Sequence, residues 1–336
     1  MGNEENTGRN KEKTISLCLS RYHPQYEENF MLNNPPWDSY IIQNWARNRI
    51  KAELTVRKCN LLYCNNCEFP NLIFARGASK IGDIESLSYF TERNKEIVPT
   101  VNNMNAVIFN TAWAYNDVMS VMGNEDNLYY MPQGVRNHNV VKNDRELTKV
   151  LFIANNFYKK GADILADSIN KIENYDVEYT FKFPQWFSLK GTQYEWLYKK
   201  DNVNIITENL SYEQLHELYN ENDIYCMPTR WESYGYVFLE AMSHGLPIVA
   251  LDIKPIDEVV EKAGLLAYTK NSSFDDTYKI EQRNDLIEQT SSNLEKLISN
   301  KPFRKRVSQE SKYMANSKYS LETFRKRFQK LSEEVL

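Results

Sequence analysis

Between residues 149 and 268 short apolar runs alternate with stretches of helical periodicity, and no other feature of the sequence limits the possible folds so strongly. Strand-like runs fall at 149–154, 178–183, 203–207, 224–228, 247–251 and 265–268. Between them, apolar residues recur at helical spacing near 161–172, 191–199, 211–220, 236–244 and 255–263. Strands that alternate with helices predict a parallel, doubly wound sheet, which takes ligands at the carboxyl ends of its strands. The first part of the chain is less regular. Residues 14–20 read as a buried first strand, 39–50 have helical spacing, and short strands are expected at 60–64, 71–75, 96–98 and 106–110.

A chain of 336 residues is long enough for two domains of ordinary size. The expected plan is a polar lead-in over 1–13, a first α/β domain over 14–140, a second over 147–310, and a helical segment over 311–336. The division falls in the polar stretch from His138 to Glu146. With 42% hydrophobic and 26% charged residues the composition is that of a soluble globular protein. A net charge of −4 gives no reason to expect nucleic-acid binding. No apolar run reaches the roughly 18 residues that span a bilayer, and the N-terminus lacks a secretory h-region, so a cytoplasmic protein is expected. Residues 301–330 carry roughly +8, which suits a solvated helix face or a peripheral contact with an anionic membrane. Cys59, Cys64 and Cys67 are spaced like part of a metal site, but zinc sites normally pair two such groups, and no metal is expected. His138, His216 and His244 have no constellation around them and read as structural residues.

The chemistry concentrates around two carboxylates, Glu232 and Glu240. Glu232 is expected on a strand-to-helix loop and Glu240 inside the helix that follows, with Gly245 just past its end and Pro247 blocking continuation. Helical side chains lean toward the N-terminus, so Glu240 reaches back toward the end that Glu232 borders. That end is rich in amides and attracts phosphate. Carboxylates that accept sugar hydroxyls beside amides that hold phosphate suit a nucleotide sugar. Lys160, between a strand and a helix, overhangs a second such end.

The run from Pro228 through Arg230, Trp231, Glu232 and Gly235 to Glu240-Ala-Met and Gly245-Leu-Pro-Ile-Val-Ala resembles the donor-site signature of retaining glycosyltransferases of the GT-B fold, family 4. Lys149-Val-Leu-Phe-Ile-Ala154 with Lys160 and Gly161, Ser211 to Tyr219, Asp223-Ile-Tyr, Glu258-Val-Val and Gly264-Leu-Leu extend the likeness over residues 130–270. The resemblance implies two Rossmann-like domains facing across a cleft, with the C-terminal helix crossing back to the first. It implies transfer of a hexose from a nucleoside-diphosphate sugar to a glycan, glycolipid or protein-linked acceptor, with retention of configuration and no cofactor.

By the same likeness Lys160 and Glu232 are catalytic: the lysine neutralises the departing diphosphate and the glutamate holds the donor sugar. Glu240 takes the ribose hydroxyls. Tyr234 and Gly235 present backbone amides, while Ser233, Arg230, Lys159 and Asn155 complete the donor side. Asn155 stands where the family carries an arginine. On the acceptor side the family's histidine is replaced by Asn102, and no glycine-rich loop follows the first strand. His23 and the basic start Arg76-Gly-Ala-Ser-Lys80 are the remaining candidates there. These departures leave a rival reading, a weakly active nucleotide-sugar-binding subunit that supports a partner enzyme. A dehydrogenase is a weaker reading still, because no Gly-x-Gly-x-x-Gly follows any expected strand.

Overall fold

The computed structural model describes residues 104–122, 126–138, 140, 146–173, 175–268 and 283–335, and the strand backbones at 14–19, 39–44, 61–64 and 79–84. The chain divides into two compact units. One comprises Met1–Met131 with Phe324–Leu336, the other Pro132–Thr323. The division lies ahead of the polar stretch expected to hold it. Met131 donates its amide to Phe109 in the first unit, whereas Gln133 accepts from the Tyr234 hydroxyl and Val135 bonds to Tyr319 in the second.

The first unit contains a six-stranded parallel sheet in the order β2-β1-β3-β4-β5-β6. Its strands are β1 (Thr14–Leu19), β2 (Ser39–Asn44), β3 (Leu61–Cys64), β4 (Ser79–Ile84), β5 (Ala106–Phe109) and β6 (Leu128–Tyr130). Helix α1 (Ala112–Met122) follows β5, and its Ala114 and Val118 pack with Met104, Val107, Phe109 and Leu128. Two expectations are corrected here. The helix expected over 39–50 begins instead as strand β2, paired with β1 from Ser39 to Asn44. Tyr40, Ile41 and Ile42 fit a strand at least as well as a helix, and a parallel partner along the whole stretch decides between them. Ser79 and Lys80, expected in a basic loop, lie in β4 between β3 and β5. The strands expected at 71–75 and 96–98 lie outside the described residues.

The second unit matches its sequence more closely. Strands β7 (Thr148–Ile153), β8 (Val177–Lys182), β9 (Val203–Ile206), β10 (Ile224–Cys226), β11 (Ile248–Asp252) and β12 (Gly264–Tyr268) form a parallel sheet in the order β12-β11-β10-β7-β8-β9. Helices α2 (Ala162–Ile169), α3 (Tyr212–Glu221), α4 (Tyr236–Ser243) and α5 (Ile256–Val260) connect them, with a 3-10 turn at Glu195–Lys199 where a helix was expected. Helices α6 (Arg283–Ser299), α7 (Lys301–Asn316) and α8 (Leu321–Val335) complete the chain. Val150, Leu151, Phe152, Tyr179, Phe181, Tyr225, Ile248 and Val249 are fully buried. Such continuous apolar strands belong to a sheet covered on both faces.

Counted from β7, the strand order is that of a dinucleotide-binding sheet. It reverses between β7 and β10, and the crevice outside such a switch point is where this architecture takes ligands. Two loops leave the sheet there, one from β7 to α2 and one from β10 to α4. They approach so closely that a Cβ on Gly161 would sit 1.9 Å from the Pro228 carbonyl oxygen, and Gly161 also has φ 76°. Only glycine fits on both counts.

Local hydrogen bonds fix the helix ends, and Gly245 stands where the sequence places it. Ser211 and Gln214 form a reciprocal capping box at α3. At the end of α4 the amides of Gly245 and Leu246 return to the Met242 and Ala241 carbonyls at 2.8 and 3.0 Å, with Gly245 left-handed at φ 70°. Among the described residues no helix is long and apolar enough to cross a membrane.

Candidate active site

The two switch-point loops bring together residues far apart in sequence. From the β7–α2 loop, Lys160 extends its ammonium to Glu232 Oε2 at 2.6 Å and to the Trp231 carbonyl at 3.3 Å on the β10–α4 loop. Both partners are largely withdrawn from water, with side chains 13% and 12% exposed. The other Glu232 oxygen accepts from the Ser233 amide at 3.2 Å. Gly235, at φ 86°, makes this folded-back glutamate possible, because a Cβ there would lie 2.7 Å from Phe238 and 3.2 Å from Glu232 Cγ. The neighbouring Lys159 points elsewhere: its ammonium lies 3.6 Å above the Trp231 ring.

Glu240 lies one turn into α4 and is 4% exposed. Its Oε2 accepts from the Tyr219 hydroxyl of α3 at 2.9 Å. Burial pushes its carboxyl up to about 7, against the opposing pull of that hydrogen bond. Burial also raises the Tyr225 hydroxyl, and both Glu240 and Glu232 add to that shift. Both carboxylates therefore act on one hydroxyl at the carboxyl end of the sheet. Neither is an ordinary solvated glutamate.

Other expected donor residues take different parts. Arg230 is held by a bidentate ion pair to Asp163 of α2, with both bonds 2.7 Å long and side chains 6% and 3% exposed. It also donates to the Tyr158 carbonyl. Asp163 in turn accepts from Arg283 Nε at 3.2 Å, and Arg283 reaches Asp167 and the Tyr194 hydroxyl. Arg230 thus ties the two loops together instead of projecting toward a ligand. The Tyr234 side chain is buried and donates to the Gln133 carbonyl at 3.0 Å, which leaves only its backbone for a donor. Asn155 is exposed just beyond β7. His23, Arg76 and Asn102, and the cysteines at 59 and 67, lie outside the described residues.

The amides before α2 also depart from expectation. Those of Lys159, Lys160, Gly161 and Ala162 turn inward to Asn156 Oδ1, Asn156 O, Tyr158 O and Phe157 O at 2.9, 3.3, 3.1 and 2.8 Å. These four amides are thus engaged within the loop itself. The sequence reading missed Tyr219, Asp163 and Arg283. A buried tyrosine on α3 and an aspartate in the first turn of α2 were visible as types, but their partners lie on other elements.

Compared with known proteins, residues 136–314, more than half of the chain, match the family described as glycosyl transferases group 1. The chain belongs to this family. Within the glycosyl transferases group 1 match fall Lys160, Glu232 and Glu240. The chain is 31% identical over 138 residues to a 41.2 kDa protein in the cps region of Klebsiella pneumoniae, covering 40% of this chain and 36% of that protein. It is 32% identical over 126 residues to a glycosyltransferase of Haemophilus influenzae, covering 37% and 30%. The match thus spans about a third of each relative's length. Among solved structures, HepE of Anabaena in complex with UDP and glucose superposes with a TM-score of 0.70 at 13% identity, over 95% of this chain and 99% of that one. This likeness places the pair of Rossmann-like parallel sheets in the GT-B architecture.

Proposed function

We propose that the chain transfers a hexose from a nucleoside-diphosphate sugar to a glycan, glycolipid or protein-linked acceptor, with retention of anomeric configuration. The observation that carries this reading is the buried Lys160–Glu232 pair at the switch point, with Glu240 beside it on α4. In this arrangement Glu232 anchors the lysine until a diphosphate competes for it. The ammonium then faces the charge that develops as the sugar–phosphate bond breaks, and Glu232 is left to hold sugar hydroxyls. That is electrostatic stabilisation by a preplaced charge, with no covalent intermediate on the protein. The departing phosphate takes the proton of the acceptor hydroxyl. Glu240 accepts from the ribose hydroxyls of the nucleotide.

UDP and glucose occupy HepE, so UDP-glucose is the first donor to test. Calorimetric titration with UDP, GDP and ADP, followed by incubation with matching sugar donors, checks the proposal. One nucleotide should bind, and its sugar donor should be slowly hydrolysed without acceptor and faster consumed with it. Binding without any turnover would favour the rival reading, a nucleotide-sugar-binding subunit serving a partner enzyme. A peripheral membrane contact through the basic helices α7 and α8 is a separate part of the proposal. Co-sedimentation with anionic but not neutral vesicles would support it.

The exposed Asn155 offers a gain-of-binding test. Asn155→Arg places a second cation near the lysine. Nucleoside-diphosphate affinity should rise by about 5- to 10-fold at low salt, the scale of roughly 1 kcal/mol for a partly exposed charge, and the gain should fade as salt is added. Unchanged affinity would mean that this end of the loop does not border the phosphates.

A further inference from the structure

The donor site uses none of the three histidines of the second unit, yet the fold gathers them. His138 precedes β7, His216 lies on α3 and His244 follows α4. Their ring centroids lie 4.2, 4.2 and 4.9 Å apart, and one ring nitrogen from each lies within 4.8 Å of the others. Spacing in the sequence gives no hint of this, since three separate elements supply them.

Hydrogen bonding assigns the protonation of two of them. His244 Nδ1 lies 2.8 Å from the Glu240 carbonyl oxygen, which can only accept, so this nitrogen carries a proton and Nε2 is a bare lone pair. His216 Nδ1 stands 3.0 Å from that lone pair and therefore holds the proton between the two rings. Nε2 of His138 and Nε2 of His216 are buried and find no hydrogen-bond partner among the described residues. An unpartnered polar atom in an interior calls for an explanation, and for His138 Nε2 an ion is one. The group around them is mixed in charge: Arg136 and Glu213 both face His216, the Tyr212 ring meets His216, and the Tyr219 ring lies against His244.

We propose that His138, His216 and His244 form a site for one divalent transition-metal ion of the imidazole-preferring kind, with Zn²⁺ first among them. His244 would ligate through Nε2, its Nδ1–H held by the Glu240 carbonyl. A proton on the far nitrogen donated to a backbone carbonyl is how metal-bound histidines are commonly oriented. The ion enters where His216 and His244 now share a proton, and His216 keeps its single proton by moving it to Nε2. Four-coordinate zinc with bonds of about 2.0–2.1 Å needs nitrogens about 3.3 Å apart, close to the spacing this pair already has. His138, on a segment outside regular structure, closes by about 1.5 Å to complete three ligands, and water takes the fourth position. The bound ion fastens the segment ahead of β7 to α3 and to the end of the helix that carries Glu240.

The test uses the full chain without a polyhistidine tag, stripped with EDTA and then dialysed. Zn²⁺ is titrated by calorimetry, and Co²⁺ is followed by its visible d–d absorption. One ion per chain is expected, with a raised thermal midpoint in both cases. His138→Gln, which changes only a half-buried side chain on a loop, should keep the metal-free unfolding curve and weaken Zn²⁺ binding by about 10-fold or more. His216→Gln should act in the same direction. Absence of saturable one-to-one binding, or parental affinity in both variants, overturns the site and leaves those nitrogens as an aromatic stack alone. The readout does not involve nucleotide or sugar, so its outcome is independent of the proposed transferase activity.

Discussion

Lys160→Ala is expected to slow sugar transfer by about 100-fold or more, the scale of removing one preplaced charge stabiliser. The structure adds a second consequence. Lys160 is the cation paired with Glu232 at 2.6 Å, so the alanine variant strands a mostly buried carboxylate. Breaking a buried pair from one side is commonly destabilising by about 3–5 kcal/mol, and the partial exposure here places the cost below that range. A stability loss could therefore imitate a catalytic one. Lys160→Gln separates them, because its amide can still donate to Glu232 without supplying charge to a phosphate. It should unfold near the parental midpoint and still transfer sugar poorly. Lys159→Ala should lose little, since that ammonium rests on the Trp231 ring. Equal losses at 159 and 160 would show that the phosphate lysine is wrongly assigned. Full transfer by the stably folded glutamine variant would remove Lys160 from the mechanism.

The contrast between these two lysines shows what a sequence can and cannot display. The stretch from Glu232 to Gly245 is legible because its constraints are local. A left-handed Gly235, an eight-residue helix and a left-handed Gly245 follow from steric rules within a few residues. The switch point is legible too, since alternating strands and helices limit the topologies available. The partners of the side chains are not. Arg230 looks like a donor ligand until the fold supplies Asp163 from α2, 67 positions away. The histidine cluster is invisible for the same reason. In the first unit the failure is of another kind. Tyr40, Ile41 and Ile42 satisfy two periodicities at once, and only pairing with β1 resolves them. Residues 79–84, with Lys80, Gly82 and Asp83, carry no strand pattern of their own, and β4 is set by its two neighbours.

Glu240 gives the other large expected effect, and here stability and binding should move in opposite directions. Its folded-state carboxyl is raised to about 7 by burial, from 4.5 unperturbed. Between those values the native state holds a proton that the unfolded chain has released, so stability falls as pH rises from about 4.5 to about 7 and stays lowered above that. Glu240→Gln removes the titration and keeps a carbonyl for the Tyr219 hydroxyl. The ligand-free variant should therefore be more stable than the parent at pH 8, by something on the order of 2 kcal/mol, and should show little gain at pH 5. Nucleotide binding should go the other way. An ionised carboxylate accepts from both ribose hydroxyls, whereas an amide offers one acceptor, and losing a charged partner costs about 1.5–3 kcal/mol, a weakening of roughly 10- to 150-fold. For the parent, affinity should climb with pH through about 7, more steeply than in the variant. The variant's remaining pH dependence comes from ionisation of the terminal phosphate of the nucleotide near pH ~6. Calorimetry across pH 5.5 to 8.5, beside thermal unfolding at the same values, reads both. A glutamate kept only to satisfy Tyr219 would give the stability gain with nucleotide affinity unchanged at every pH, and that result would withdraw Glu240 from the donor site.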